Sequence, residues 1–343
     1  MGEERVLQVV GPSTGGMGAH AGFLGERLAG RGWTVDTLTS VPRSSSPLAL
    51  WNARRAVQRG ARGADVIHAH GLKAGWVAAS IPRHRRPPVV VTVHNLVLDA
   101  VAGRSSGPLR WLQSRLARRA DATIAVSREI AATVGGRVIW PAAPLPAPGR
   151  SPAETRAAHG IDDGRPLVVC VARLHPQKGL HTLIDAAEAL TRRVPDVAVL
   201  VVGEGPQRTE LQAHIDRRSL GAVVYLAGHS ANAADELRAA DVVAMTSIWE
   251  SGPLVVMEAM ALARPVVATP VGFVGELVLE HVTGRVVSIG DAPACADALA
   301  EILGDPDGAA RLGHAGRMRV LARFDPEVLV AEVEEVYRGL MAR

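Results

Sequence analysis

The sequence predicts an α/β protein built from two doubly wound, parallel-sheet domains. Three observations lead there. Apolar, strand-length runs alternate with helix-length amphipathic segments from end to end. The runs are rich in Val and Ile and nearly continuous, as in strands buried on both faces. A stretch with five prolines in twelve residues, Pro141–Pro152, interrupts the alternation near the middle of the 343 residues. At roughly 100–200 residues per domain, that length fits two.

In the first half the strands are expected at Val6–Val10, Thr34–Leu38, Val66–His68, Val89–Val93, Thr123–Val126 and Val138–Trp140. In the second half they are expected at Leu167–Ala172, Val197–Val202, Val223–Leu226, Val242–Met245, Val266–Ala268 and Arg285–Ser288. Segments such as Ala21–Ala29, His181–Thr191 and Pro293–Leu303 read as the intervening helices. Repeated strand–helix–strand units imply open sheets wound on both faces, a Rossmann-like plan. Proline lacks the N–H that a helix interior or a central strand needs, so Pro141–Pro152 reads as a linker. The expected division is residues 1–145, residues 153–322 and a final helix within 323–343 that returns to the first domain. Ligands are then expected between the domains, at the C-terminal ends of strands.

Composition narrows the class. With 48% apolar and 21% charged residues the chain is globular, not disordered. No apolar run of about 18 residues predicts a spanning helix. The start, MGEERVLQVV, is acidic and enters a strand at once, unlike a secretory signal, so a cytoplasmic location is expected. Cys170 and Cys295 are too few for a disulfide framework or a zinc ligand set. Charge is uneven: residues 1–140 hold 19 Lys and Arg against 8 Asp and Glu, and the rest hold 19 against 26. A basic first half suits an anionic partner, such as a phosphorylated acceptor or an anionic membrane surface, and equally a solvated Arg-rich surface. The segment Leu109–Arg119 is basic and amphipathic, suited to resting on a membrane or to packing on a sheet. Nucleic acid is not expected as a partner, because three Phe and two Tyr are few for base stacking. Lysine occurs only at 73 and 178, so a lysine here marks a place where a compact point charge serves better than an Arg fork.

Chemistry-bearing residues cluster where strands end. Gly11-Pro-Ser-Thr-Gly15-Gly16-Met-Gly18 follows the first strand and lets backbone approach a ligand at a helix start. It is no Walker loop, because Met17 stands where Lys is required. His94 ends the fourth strand and could contact a sugar hydroxyl or a leaving group, or be a satisfied structural histidine. His68 and His70 could offer two metal ligands, but no paired carboxylate or Cys lies nearby in sequence, so no metal is expected. Arg173-Leu-His-Pro-Gln-Lys178-Gly179 follows the first strand of the second half and opens a helix. Two cations beside a helix N-terminus suit a diphosphate. Gly203-Glu204-Gly205-Pro206 reads as a tight turn with Pro206 opening a helix. Glu250-Ser-Gly-Pro-Leu-Val-Val-Met-Glu258 is the sharpest signal. Gly252 and Pro253 start a helix whose N–H groups, through Ser251 to Leu254, could hold phosphate or sugar oxygens. Glu258 interrupts an apolar face, where a carboxylate needs partners such as ribose hydroxyls.

At these residues the sequence resembles the retaining glycosyltransferases of GT-B fold, family 4. Glu250 and Glu258 match that family's pair of glutamates separated by seven residues. Arg173, Lys178 and Gly179 resemble its phosphate clamp. Gly15, Gly16 and His94 match its early glycines and strand-end histidine. Phe273 departs from the pattern, where a second glycine is common. The resemblance implies a nucleoside diphosphate sugar as donor, held mainly by the second domain, with the acceptor on the first. It implies that Arg173 and Lys178 neutralise the leaving diphosphate, that Glu258 binds ribose and that Glu250 binds donor-sugar hydroxyls. It implies that His94 lines the transfer site; Gly203 and Gly205, by their own turn, could floor a nucleotide pocket or serve as turn chemistry alone. It also implies retention of anomeric configuration and independence from a metal or other cofactor. A nucleotide-sugar epimerase of the same fold, a non-catalytic sugar-nucleotide binding protein and a nicotinamide oxidoreductase using Gly16, Gly18 and Asp36 are the alternatives.

Overall fold

A computed structural model describes residues 4–11, 16–39, 41–42, 46–94, 115–116, 118–142, 146–250 and 252–343. Gly15, Ser251 and most of the basic segment 109–119 lie outside the described residues. The chain forms two compact units, Met1–Pro144 with Phe324–Arg343, and Leu145–Arg323.

The first unit carries six strands: β1 Arg5–Val10, β2 Thr34–Leu38, β3 Val66–His70, β4 Val89–Val93, β5 Ala122–Ala125 and β6 Arg137–Val138. All pair in parallel, in the order β2-β1-β3-β4-β5-β6. The direction of winding reverses between β1 and β3, the position where doubly wound sheets open a crevice at their C-terminal ends. Because side chains alternate across a strand, each strand feeds two cores. Val89, Val91 and Val93 pack with Ala53, Val57, Ala74 and Ala78 on one face. Val6, Val66 and Val90 pack with Leu24, Leu28, Leu329, Val330, Val333 and Tyr337 on the other. Helix Pro326–Met341 is therefore a wall of the first unit although it ends the chain. Its Glu334, almost fully buried, accepts from Trp33 Nε1 and Arg31 Nη1, both at 2.8 Å.

The second unit also has six parallel strands: β7 Leu167–Val171, β8 Ala198–Val202, β9 Val224–Gly228, β10 Val242–Met245, β11 Val266–Ala268 and β12 Arg285–Val286. Their order, β12-β11-β10-β7-β8-β9, is that of dinucleotide-binding folds, with the switch point between β7 and β10. The chain enters through Gly149 and Arg150, whose N–H groups donate to Asp235 Oδ1 at 2.6 and 3.0 Å. Ser151 and Glu154 then form a capping box on helix Pro152–Ala158. The twelve strands stand where the apolar runs are expected, with ends differing by up to two residues. Among the described residues no helix is long and apolar enough to cross a membrane.

One ion pair ties the start of β4 to the start of β5. Asp121 accepts from Arg86 Nη1 at 2.5 Å and from Val89 N–H at 2.8 Å, and pairs with Arg83 at 2.9 Å. Burial opposes its charge, but the bonds from Arg86 and Val89 and the two arginine charges hold its carboxyl below the ordinary value. The Arg86 side chain is only 2% exposed. Asp121→Asn is expected to cost about 3 kcal/mol, because it leaves a buried guanidinium without its counter-charge. The depressed carboxyl contributes stability above its unfolded value that is lost as pH falls through the folded one. Melting curves of wild type and Asp121→Asn should therefore converge in acid; a constant gap at every pH would show that the charge is not the cause.

Candidate functional site

The loop after β7 and the loop after β10 meet at the switch point of the second unit. Local hydrogen bonds bind them together. Ile248 N–H donates to Gln177 O at 2.8 Å, Gln177 Nε2 to Trp249 O at 2.9 Å and Thr246 Oγ1 to Lys178 O at 3.3 Å. Gly179 makes this approach feasible. Its φ is +59°, and a Cβ there would lie 2.2 Å from Thr246 O.

Lys178 and Glu250 are thereby brought into contact. Lys178 Nζ donates to Glu250 Oε1, which also accepts from Ser247 Oγ at 2.8 Å. Both side chains are largely buried, at 17% and 10% exposure. Thr269 Oγ1 donates to Ser247 O at 2.6 Å and fixes the residue that holds Glu250. Cys170 lies close by on β7. Burial pushes its thiol up to about 12, with Lys178 opposing and Glu250 adding to the shift. Arg173, on the same loop as Lys178, is exposed, and its guanidinium makes no ion pair or hydrogen bond among the described residues, while its carbonyl accepts from His175 N–H at 2.8 Å. The structure thus sets one buried cation in an ion pair and leaves a second one open to solvent.

Glu258 stands on helix Leu254–Ala261, apart from that pair. It is half-buried, its carboxylate has no hydrogen-bond partner among the described residues, and burial raises its pKa. A carboxylate so placed is a ready acceptor for ligand hydroxyls. Gly203 and Gly205 serve the Arg173 loop. A Cβ at Gly203 would lie 2.0 Å from Ala172 O, and one at Gly205 would lie 2.4 Å from Leu174 O. Leu174 N–H in turn donates to Glu204 O at 3.0 Å. The turn is therefore a seat for the backbone that carries Arg173.

Two expectations about proline need correction. Pro253 occupies the N-cap of its helix, one residue before the first helical position, and Leu254 begins the helix while Gly252 precedes it. Pro206 lies in a turn, because the next helix starts only at Arg208 with Gln207 as its cap. In both places the chain bends once more before its N–H groups align. The residues not singled out from sequence are Gln177, Ser247 and Thr269. They are ordinary polar residues, and only the meeting of the two loops gives them partners.

In the first unit, His94 follows β4 and is buried. His70 Nδ1 lies 3.3 Å from its Nε2. Register explains the grouping: β3 and β4 pair His68 with Val90 and His70 with Thr92, so His68, His70, Thr92 and His94 follow one parity. They face the core that includes helices Gly16–Gly30 and Pro326–Met341. His68 is fully engaged, with Tyr337 Oη and Thr92 Oγ1 each at 2.6 Å. The sequence leads to no metal at His68 and His70, and the structure gives the two rings different partners. His70 groups instead with His94 and with His20 from helix Gly16–Gly30, a residue unremarked in the sequence because nothing local marks it. Gly16 is the first residue of that helix. Asp36 lies mid-strand in β2 and pairs with Arg5 at 3.3 Å, not at a strand end where a ribose-binding acid stands.

The two units are of the doubly wound ligand-binding class, with polar clusters at the switch point of each sheet. Comparison with known proteins narrows this. Residues 152–319 match the family described as glycosyl transferases group 1, and residues 37–148 match the glycosyl transferase 4-like domain. The D-inositol 3-phosphate glycosyltransferase of Corynebacterium urealyticum is 30% identical over 80% of this chain and 72% of its own. A GDP-mannose-dependent alpha-(1-6)-phosphatidylinositol monomannoside mannosyltransferase of Mycolicibacterium smegmatis is 37% identical over 54% of this chain. The matched segment spans about half the length of that mannosyltransferase, 51%. Among solved structures, the sucrose-phosphate synthase of Thermosynechococcus elongatus superposes with a TM-score of 0.84 at 26% identity, covering 99% of this chain and 100% of that one. The chain belongs to glycosyltransferase family 4, of GT-B fold.

Proposed function

We propose that the protein is a retaining glycosyltransferase that moves a hexosyl-type sugar from a nucleoside diphosphate sugar to an acceptor hydroxyl. The observation that carries this reading is the placement of Lys178 and Glu250 in contact at the β7/β10 switch point, with Arg173 on the same loop. In this reading the acceptor hydroxyl oxygen bonds to the anomeric carbon and gives its proton to the leaving phosphate, while the bond from the anomeric carbon to the diphosphate oxygen breaks and its electron pair stays with the phosphate. Arg173 and Lys178 stabilise that charge as it develops, which is commonly the largest catalytic contribution. Glu258 accepts from ribose hydroxyls and Glu250 from the donor sugar. Within the second unit the backbone of Ser251–Leu254 is assigned to phosphate and sugar oxygens and Gly203 and Gly205 to the nucleotide; within the first, Gly15 and Gly16 are assigned to phosphate and His94 to the transferred sugar. Neither glutamate is assigned a covalent role in this reading.

The donor is placed on the second unit and the acceptor on the first, with no metal or other cofactor in the donor chemistry. Two relatives are named for substrates of these classes: one for GDP-mannose and phosphatidylinositol monomannoside, another for D-inositol 3-phosphate. Their acceptors, as named, are anionic, which suits the basic excess of residues 1–140 and a peripheral position at the inner face of a membrane. The test is a screen of nucleoside diphosphate sugars for diphosphate release, with product configuration read by NMR. Glu258→Ala is expected to raise KM for the donor about 10–100-fold, with a smaller fall in kcat, as loss of a ground-state contact does. Interconversion of the donor sugar without release would point to the epimerase. Binding of the donor with neither reaction, across a panel of phosphorylated and lipid acceptors, would point to a binding protein.

A further inference from the structure

Three buried imidazoles at the first unit's switch point form a group of their own. His20 comes from the second turn of helix Gly16–Gly30, His70 ends β3 and His94 follows β4. One ring nitrogen from each lies within 4.8 Å of the other two. The residues are 6%, 1% and 7% exposed. Among the described residues His20 Nδ1 and His70 Nε2 are buried without a hydrogen-bond partner, a rare condition for buried polar atoms. The other His70 nitrogen, Nδ1, lies 3.3 Å from His94 Nε2, and the His20 and His94 ring centres are 5.2 Å apart, so the three rings converge.

We propose that His20, His70 and His94 form a binding site for a zinc-class divalent transition ion, with a fourth position open to water. Softness and charge favour that class. The set is all imidazole, which suits zinc and its neighbours, whereas magnesium and calcium require oxygen ligands. His68 is not a ligand, since both its nitrogens are taken by Tyr337 and Thr92. It stacks against His70 with ring centres 4.3 Å apart and limits how that ring can turn. The site does not depend on the transferase reading. If that reading holds, an ion here occupies His94 and zinc inhibits transfer.

The test uses the full chain, freed of metal by chelation and titrated with zinc or cobalt alone. One ion per chain is expected, with the visible absorption of tetrahedral cobalt that zinc displaces. His20→Gln and His70→Gln should each weaken binding by at least about tenfold. His84→Gln and His281→Gln, at exposed histidines, should leave it unchanged. X-ray absorption on the zinc-loaded wild type should show a shell of three imidazole nitrogens, a readout that needs no variant to fold. An oxygen-dominated shell, no binding, or binding that persists in a folded His20→Gln/His70→Gln double variant each overturns the proposal.

Discussion

Lys178→Ala is expected to slow nucleoside diphosphate release by about 10²–10³-fold while the chain stays folded. The reasoning is electrostatic. The ammonium is largely buried and already held at the switch point by Glu250, so it needs little reorganisation when a diphosphate arrives. Its attraction to the leaving group grows as the glycosidic oxygen takes up charge, so its loss should fall mainly on kcat rather than on KM. Glu250 keeps the Ser247 hydroxyl at 2.8 Å in the variant, which limits collapse of the loop. Lys178→Arg should recover only part of the rate, since a planar fork does not replace a compact charge in the space beside Glu250. Steady-state rates at saturating donor, with circular dichroism as the folding control, decide the matter. A kcat within about threefold of wild type would place the charge stabilisation elsewhere.

Removal of residues 324–343 is expected to unfold the first unit and leave the second folded. Leu329, Val330, Val333 and Tyr337 are at most 3% exposed and cover the sheet face formed by Val6, Val66 and Val90. At about 1.5–3 kcal/mol for each buried side chain, the four contribute roughly 6–12 kcal/mol. That matches the whole stability of an ordinary domain, about 5–15 kcal/mol. The deletion also strips the carboxylate of Glu334 from Trp33 and Arg31, and the hydroxyl of Tyr337 from His68. Hydrogen exchange gives the readout strand by strand. Amides of β3 and β4 should lose protection while those of β7 and β8 keep it. Protection of β3 that survives the deletion would show that the helix is an accessory.

Much of the loop arrangement around Lys178 and Glu250 was legible because its information is local. Arg173, Lys178 and Gly179 lie within one loop, and Glu250 to Glu258 within one strand–helix turn, so spacing alone brings each set near a strand end. That Lys178 and Glu250 touch is a different kind of fact. They are 72 residues apart, and only the β7–β10 pairing joins their loops. Ser247 and Thr269 were invisible for the same reason. The histidines show the limit most clearly. The spacing of His68 and His70 suggested a pair, but the packing of Tyr337 and Thr92 occupies one and leaves the other to His20 and His94.

By itself the sequence determined the alternation of strands and helices, the parallel buried character of both sheets and the positions of the strand-end loops. These follow from hydrophobic period and from proline and glycine chemistry, which act over a few residues. Only the tertiary structure decided which strand lies beside which, which wall the last helix supplies and which imidazoles converge. Those depend on register and on burial against distant segments, where the free energy comes from surfaces that no local pattern encodes.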